Sequence, residues 1–288
     1  MGLCRLLRHS VRELTLTDPA QFRFDDQSVP ARYDERLVPR LFHPWAEALV
    51  GRLAPERAIR ALDVATGPGT VARVLAKMIG AKGQVAACDA SPSMIARAEG
   101  KGPVARGAPI AYTVGPAVPL PYPADTFQAV TCQQGLQFFP DGLAALTEIH
   151  RVLVPGGRLA LSVWHPLENC PVPQAYQRAL QCAGQPALAD LMRIPHPHWT
   201  GEDLTARARQ AGFGYVQVLT DERDLVFPGG IVEATEAYLG TPIGPLVGAL
   251  PEEERARIAV EALTAFAPLL SPDGVRGPMR AWVLLATA

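Results

Sequence analysis

Between Ala61 and Thr70 the chain reads ALDVATGPGT, an apolar run that carries one acid and ends in Gly-Pro-Gly. The run has strand character, and the segment after it, GTVARVLAKMIG, has helical periodicity closed by Gly80. The glycines at 67 and 69 therefore make a tight strand-to-helix turn. The same alternation continues downstream. GQVAACD is a strand and SPSMIARAEG a helix, with Ser91 as N-cap and Pro92 at the first helical position. PIAYTV and FQAVTCQQ are strands, DGLAALTEIHRVL is a helix stopped by VPGG, and RLALSVW is a fifth strand. YVQVLTDERDLVF and MRAWVLLATA add two more. Strands alternating with helices imply right-handed crossovers, and so an α/β fold: a doubly wound, mostly parallel seven-stranded sheet with helices on both faces.

Two regions depart from this rhythm. Before residue 58, an arm leads into ARYDERLVPRLFHPWAEALVGRL, which reads as two short helices broken by Pro39 and Pro44 and covering the ligand edge. Within the main domain, residues 59–288, the stretches at about 165–200 and 230–271 interrupt the alternation and predict a helical cap.

Composition narrows the function. In 288 residues, Lys and Arg total 27 against 28 Asp and Glu, without runs of like charge, so no nucleic-acid footprint is expected. Five cysteines, at 4, 88, 132, 170 and 182, lack metal-binding spacing and read as free thiols in a reducing cytosol. The opening MGLCRLLRHSVREL is interrupted by arginines, and no stretch approaches the roughly 18 apolar residues of a membrane span. A cytoplasmic protein acting on a small molecule is expected, with no membrane or nucleic-acid partner. HPHW, at 196–199, lacks further ligands to argue for a metal.

An open parallel sheet binds its ligand beyond the carboxyl ends of its strands. The TGPG turn lies there, and Asp89 ends the second strand about twenty residues on, where an acid accepts hydrogen bonds from ribose hydroxyls. A nicotinamide-dependent dehydrogenase uses a similar arrangement, but Asp63, just before the turn, would repel a pyrophosphate. A ligand carrying a cationic ammonium or sulfonium group suits the position better.

LDVATGPG, ACDASPSMI, LPYPADTFQAVTCQQGLQFFPD and EIHRVLVPGGRLALSVW, in that order and spacing, resemble class I S-adenosylmethionine-dependent methyltransferases, closest to the ubiquinone/menaquinone-biosynthesis type. The resemblance spans residues 60–164 and implies a Rossmann-like methyltransferase fold with S-adenosyl-L-methionine as cofactor. It implies that Asp63 and the turn Ala65, Thr66, Gly67 and Gly69 hold the methionine end. Asp89 would bind both ribose hydroxyls, with Ala90 and Met94 against the adenine. Gln133 and Gln134 would lie near the amino-acid moiety and the transferred methyl, and Gln137 would face the substrate. Where relatives carry Gly-Asp-Ala this chain has Gly115-Pro116-Ala117, leaving the Ala117 N–H to contact the ring.

Each position also has a plainer reading. Asp63 could cap its own turn, Asp89 could serve a helix N-terminus, Met94 could be core, and the glutamines could satisfy strand ends. For a general base, His165 directly follows the fifth strand and is the candidate for catalysis or substrate contact; His43, His196 and His198 rank below it. Tyr33 either closes over the cofactor or packs its helix. The expected reaction is methyl transfer to a small apolar or aromatic acceptor. Against it stands a protein of this fold that binds the cofactor but catalyses another reaction, such as cyclisation, or that acts only by binding.

Overall fold

The computed structural model describes residues 28–288. The first part of the expected arm, residues 1–27, lies outside the described residues.

Strands β1 (Arg60–Val64), β2 (Gln84–Asp89), β3 (Ile110–Val114), β4 (Phe127–Gln133) and β5 (Leu153–Trp164) run parallel, and β6 (Tyr215–Phe227) and β8 (Gly274–Thr287) pair antiparallel. Their order is β3-β2-β1-β4-β5-β8-β6, with the two-residue β7 (Leu270–Ser271) paired off the path to β8. The seven-stranded expectation holds for that path, and β7 adds an eighth strand. β1 is central because its Ala61, Leu62 and Val64 are sealed from solvent, as a strand covered on both faces requires. Burying a leucine such as Leu62 stabilises the fold by about 1.5–3 kcal/mol.

The chain winds from β1 through β2 to β3 on one side, then returns to β4 and β5 on the other. The order therefore reverses between β1 and β4, where an open sheet has its ligand crevice. One face is covered by α2 (His43–Leu53) and α3 (Thr70–Ile79), whose leucines pack on Ala61 and Ala129. The other is covered by α5 (Gly142–Val152) and α8 (Gly201–Gln210). A third apolar cluster joins α6 (Pro171–Cys182), α9 (Gly230–Tyr238) and α11 (Glu252–Phe266) to Leu37, Trp45 and Trp164. The short helices α4 (Pro92–Glu99), α7 (Pro186–Leu191) and α10 (Ile243–Gly248) complete the set.

Two local expectations are corrected. The prolines at 39 and 44 do not break the N-terminal helix. α1 (Ser28–Arg32) runs into a π-helical stretch, Tyr33–Phe42, and on into α2 with helical backbone at both junctions. Pro39 would clash with the carbonyl four residues back in an α-helix; wider i→i+5 winding relieves that contact, and Pro44 sits in the first turn of α2, where its missing N–H costs little. The VPGG stretch does end α5, but it is not a loop. It forms the first half of β5, with a register shift against β4 between Phe127 and Ala129. No helix among the described residues is long and apolar enough to cross a membrane.

Candidate active site

β1 delivers Asp63 to the crevice edge with its side chain turned inward. The carboxylate accepts from Thr66 Oγ1 at 2.6 Å and the Ala72 N–H at 3.1 Å on one oxygen, and from Thr131 Oγ1 at 2.7 Å on the other. It is 1% exposed and lines neither of the two cavities at this edge of the sheet. It ties the turn to α3 and β4 instead of presenting itself to a ligand. Burial drives its pKa up to about 7, with the two hydroxyls and the amide opposing the rise. Thr66 is drawn in with it. Gly69, at φ 80°, is held by packing: a Cβ there would lie 2.7 Å from the Tyr112 hydroxyl. Ala65 (φ 55°) and Gly67 (φ 54°) are left facing the crevice in left-handed conformations.

That crevice is a cavity of about 700 Å³, within the range of small-molecule and cofactor sites. Asp89, at the end of β2, borders it. One of its carboxylate oxygens accepts the Gly67 N–H at 2.8 Å and the other the Ser91 N–H at 2.9 Å. Backbone bonds thus fix both oxygens at the mouth of the site, and a carboxylate oxygen can accept more than one donor. Beyond it, Ser91 caps α4 by accepting the Met94 N–H, which sets Ala90 and Met94 against the cavity. Ala117 and Pro116 form another part of the wall.

On the far side, β4 ends in Gln133 and Gln134. The Gln133 amide donates to the Phe42 carbonyl at 3.0 Å, while its Oε1 is buried without a partner among the described residues. Gln134, at φ 55°, donates its side-chain amide to Ser162 Oγ and accepts from Gln137 Nε2 at 3.2 Å. Gln134 faces two spaces. A second, smaller cavity of about 80 Å³ adjoins the first, and Tyr33, Gln134 and Phe138 line both. Gln137 belongs to the smaller one alone, with Trp164 and His196.

Of the residues singled out from sequence, Tyr33, Ala65, Gly67, Asp89, Ala90, Met94, Ala117, Gln133 and Gln134 meet at the larger cavity and Gln137 at the smaller. Asp63, Thr66, Gly69 and His165 line neither. His165 is turned away because side chains alternate along a strand. Trp164 faces the cavity, and His165, whose N–H still pairs with the Arg280 carbonyl, stacks on Trp282 with ring centroids 4.1 Å apart. Its pKa is lowered, chiefly by burial and then by Arg280. The sequence did not single out Asp141 or Phe138, and His196, ranked below His165, lines the smaller cavity. Asp141 lines the larger cavity and caps α5 by accepting the Ala144 N–H at 2.9 Å, a role already visible as an acid opening DGLAAL.

This arrangement has the features that a charged nucleoside needs: a fixed carboxylate for a diol, apolar walls for a base, and an unpartnered buried carbonyl, Gln133 Oε1, for an ammonium. Residues 27–185, more than half of the chain, match the ubiE/COQ5 methyltransferase family. The chain belongs to that family. As a ubiE/COQ5 methyltransferase it uses S-adenosylmethionine as its methyl donor. It is 31% identical over 201 residues to the 2-phytyl-1,4-naphtoquinone methyltransferase of Thermosynechococcus vestitus, which covers 65% of this chain and 86% of that protein. It is 31% identical over 185 residues to the ubiquinone/menaquinone biosynthesis C-methyltransferase UbiE of Cereibacter sphaeroides, covering 60% and 73%. Among solved structures, the YcgJ protein of Bacillus subtilis superposes with a TM-score of 0.54 at 20% identity, over 85% of this chain and 98% of that one. At that identity the likeness speaks for the fold of this ubiE/COQ5 methyltransferase alone.

Proposed function

We propose that this methyltransferase alkylates a small, quinone-like aromatic acceptor held in the smaller cavity. The observation that carries the reading is the junction of the two cavities at Tyr33, Gln134 and Phe138, which sets a cofactor-sized space against an apolar one. The relatives named for quinone substrates support the acceptor class.

Asp89 would hold the ribose hydroxyls, the Ala65–Gly67 backbone and Gln133 Oε1 the methionine end, and Met94, Ala90 and Ala117 the adenine. When bound, S-adenosylmethionine supplies a methyl group on a positively charged sulfur. The chain's own part is to exclude water and align the acceptor, since orientation supplies much of the rate of such a displacement. Tyr33, whose hydroxyl is kept protonated by burial and by the nearby Asp89 and Asp34 carboxylates, covers the junction. The stretches at 165–200 and 230–271 act as the cap, a role supported by Met192 and His196 from the first and Tyr238 and Thr241 from the second, all lining the acceptor space. The helices before residue 58 cover the cofactor. The free, mostly buried thiols among the described residues fit a reducing compartment, and we place the enzyme in the cytoplasm.

Incubating the protein with methyl-labelled S-adenosylmethionine and a panel of reduced quinones tests the reading. Label is expected in an organic product one methyl group heavier. Cofactor binding without label transfer to any acceptor of the panel, or conversion to a product of unchanged mass, would favour the cyclase-type alternative.

A further inference from the structure

The smaller cavity has three polar groups whose bonding capacity is not taken up among the described residues. Gln137 gives its amide hydrogens to Gln134 Oε1 at 3.2 Å and to the Pro195 carbonyl at 3.3 Å, which leaves its own Oε1 buried without a partner. The Tyr238 hydroxyl is equally orphaned, on a ring stacked against Tyr176 at 5.1 Å. His196 Nδ1 lies 2.9 Å from the His165 carbonyl. A carbonyl has no proton to give, so Nδ1 carries the hydrogen and Nε2 is left as an acceptor. Burial holds the imidazole neutral, lowering its pKa to about 4.

An unmet buried polar group costs about 1–3 kcal/mol, so two of them, Gln137 Oε1 and the Tyr238 hydroxyl, beside an imidazole acceptor on one apolar space are better explained by a ligand than by packing. We infer that His196, Gln137 and Tyr238 are the specificity-determining residues of the acceptor site and that they read a hydroxyl group on a compact aromatic ring. The inference rests on the methyl-transfer reading and names what that site selects. The chemistry is one-sided: two acceptors that cannot donate and one hydroxyl. An O–H group satisfies Gln137 Oε1 or His196 Nε2, whereas a quinone or ether oxygen sets lone pair against lone pair.

Two further observations give the selection its source and its size. Met192, Pro195, His196, Tyr238, Thr241 and Met279 line this cavity and lie beyond residue 185, where the family match ends. Much of the acceptor wall is therefore this chain's own. The cavity, about 80 Å³, is below the roughly 150 Å³ that accommodates benzene in an apolar core. That small volume favours a compact acceptor.

Calorimetric titration of the full chain, saturated with S-adenosylhomocysteine, provides the test. Hydroquinone is expected to bind at least tenfold more tightly than 1,4-dimethoxybenzene, which has the same ring and oxygens but no O–H. Tyr238→Phe and Gln137→Met should each weaken hydroquinone binding at least fivefold and leave S-adenosylhomocysteine affinity unchanged. Tyr238→Phe removes only an unpartnered hydroxyl, so it keeps the fold intact and the test valid even if Gln137→Met does not fold. Equal binding of the two ligands, wild-type affinity in Tyr238→Phe, or no hydroquinone binding by protein that binds S-adenosylhomocysteine would overturn the inference. Failure of the wild type to bind S-adenosylhomocysteine would instead overturn the methyl-transfer reading, and this inference with it.

Discussion

Asp63 and Asp89 stand on adjacent parallel strands, yet their surroundings give them opposite tasks. Asp89 sits at the cavity edge with backbone N–H groups aiming it outward. Asp89→Ala should weaken S-adenosylmethionine binding by about 1.5–3 kcal/mol, roughly 10- to 100-fold, the usual worth of hydrogen bonds to a charged group. Calorimetry on the folded variant measures it, and unchanged affinity removes Asp89 from the site. Asp63 is enclosed, with a pKa raised to about 7 from an ordinary 3.8. Between those values the unfolded chain has released a proton that the folded one retains, so stability contributed by this group falls as pH climbs from about 4 to 7 and then levels. The slope for one proton is at most about 1.4 kcal/mol per pH unit. A carboxamide cannot ionise. Urea denaturation of Asp63→Asn should therefore lack that decline, at a constant cost of about 1–3 kcal/mol for donors it no longer satisfies. A wild-type-to-variant difference independent of pH would mean that the buried acid stays ionised. Sequence placed both acids at the ligand edge of the sheet but could not separate their roles, because what separates them is Thr131, 68 residues away from Asp63 and brought beside it by β4.

The π-helical stretch carries Tyr33 to the junction of the cavities, and charge holds it on two sides. Asp34 pairs with Arg97 and with Lys101, and Lys101 Nζ also donates to the Pro68 carbonyl of the cofactor turn at 2.7 Å. On the opposite side Arg36 pairs with Glu236, and Arg40 with Glu233 at 3.0 Å, both on α9. The exposed pairs contribute a few tenths of a kcal/mol each, whereas Asp34, 9% exposed, is worth more. Lys101→Met should free the start of this stretch and raise the cofactor Kd by about fivefold, roughly 1 kcal/mol, with the melting temperature lowered only slightly. Surface plasmon resonance would show this as faster dissociation; an unchanged rate would mean Tyr33 is held by packing alone. Helix existence here was legible from periodicity, but its continuity was not. Proline rules count the α-helical ladder, and the chain escapes them by widening the winding at Pro39.

Across the whole molecule, what local pattern encodes was readable: strands alternating with helices, glycines at the turn, Ser91 as a cap. What depends on residues distant in sequence was not, and the acceptor space is of that kind, assembled from the π-helical stretch, the end of β4, the loop at Pro195 and α9. His196 ranked below His165 because only folding turns one ring to the cavity and the other onto Trp282. The larger cavity likewise draws on the ends of β1, β2 and β4 and on the start of the N-terminal helices. A ligand there touches segments that only folding brings together, so it binds the folded chain only. At a hundred times its Kd, S-adenosylhomocysteine should stabilise the fold by about 2.7 kcal/mol, which for a chain of this size raises Tm by roughly 4–5 °C. Differential scanning fluorimetry reads the shift. Asp89→Ala, at the same ligand concentration, should show a rise smaller by a few degrees because its lower affinity leaves less linkage energy. A wild-type shift under about 1 °C would mean that the ligand does not bind the folded chain at this cavity with the expected affinity, whatever the family likeness implies.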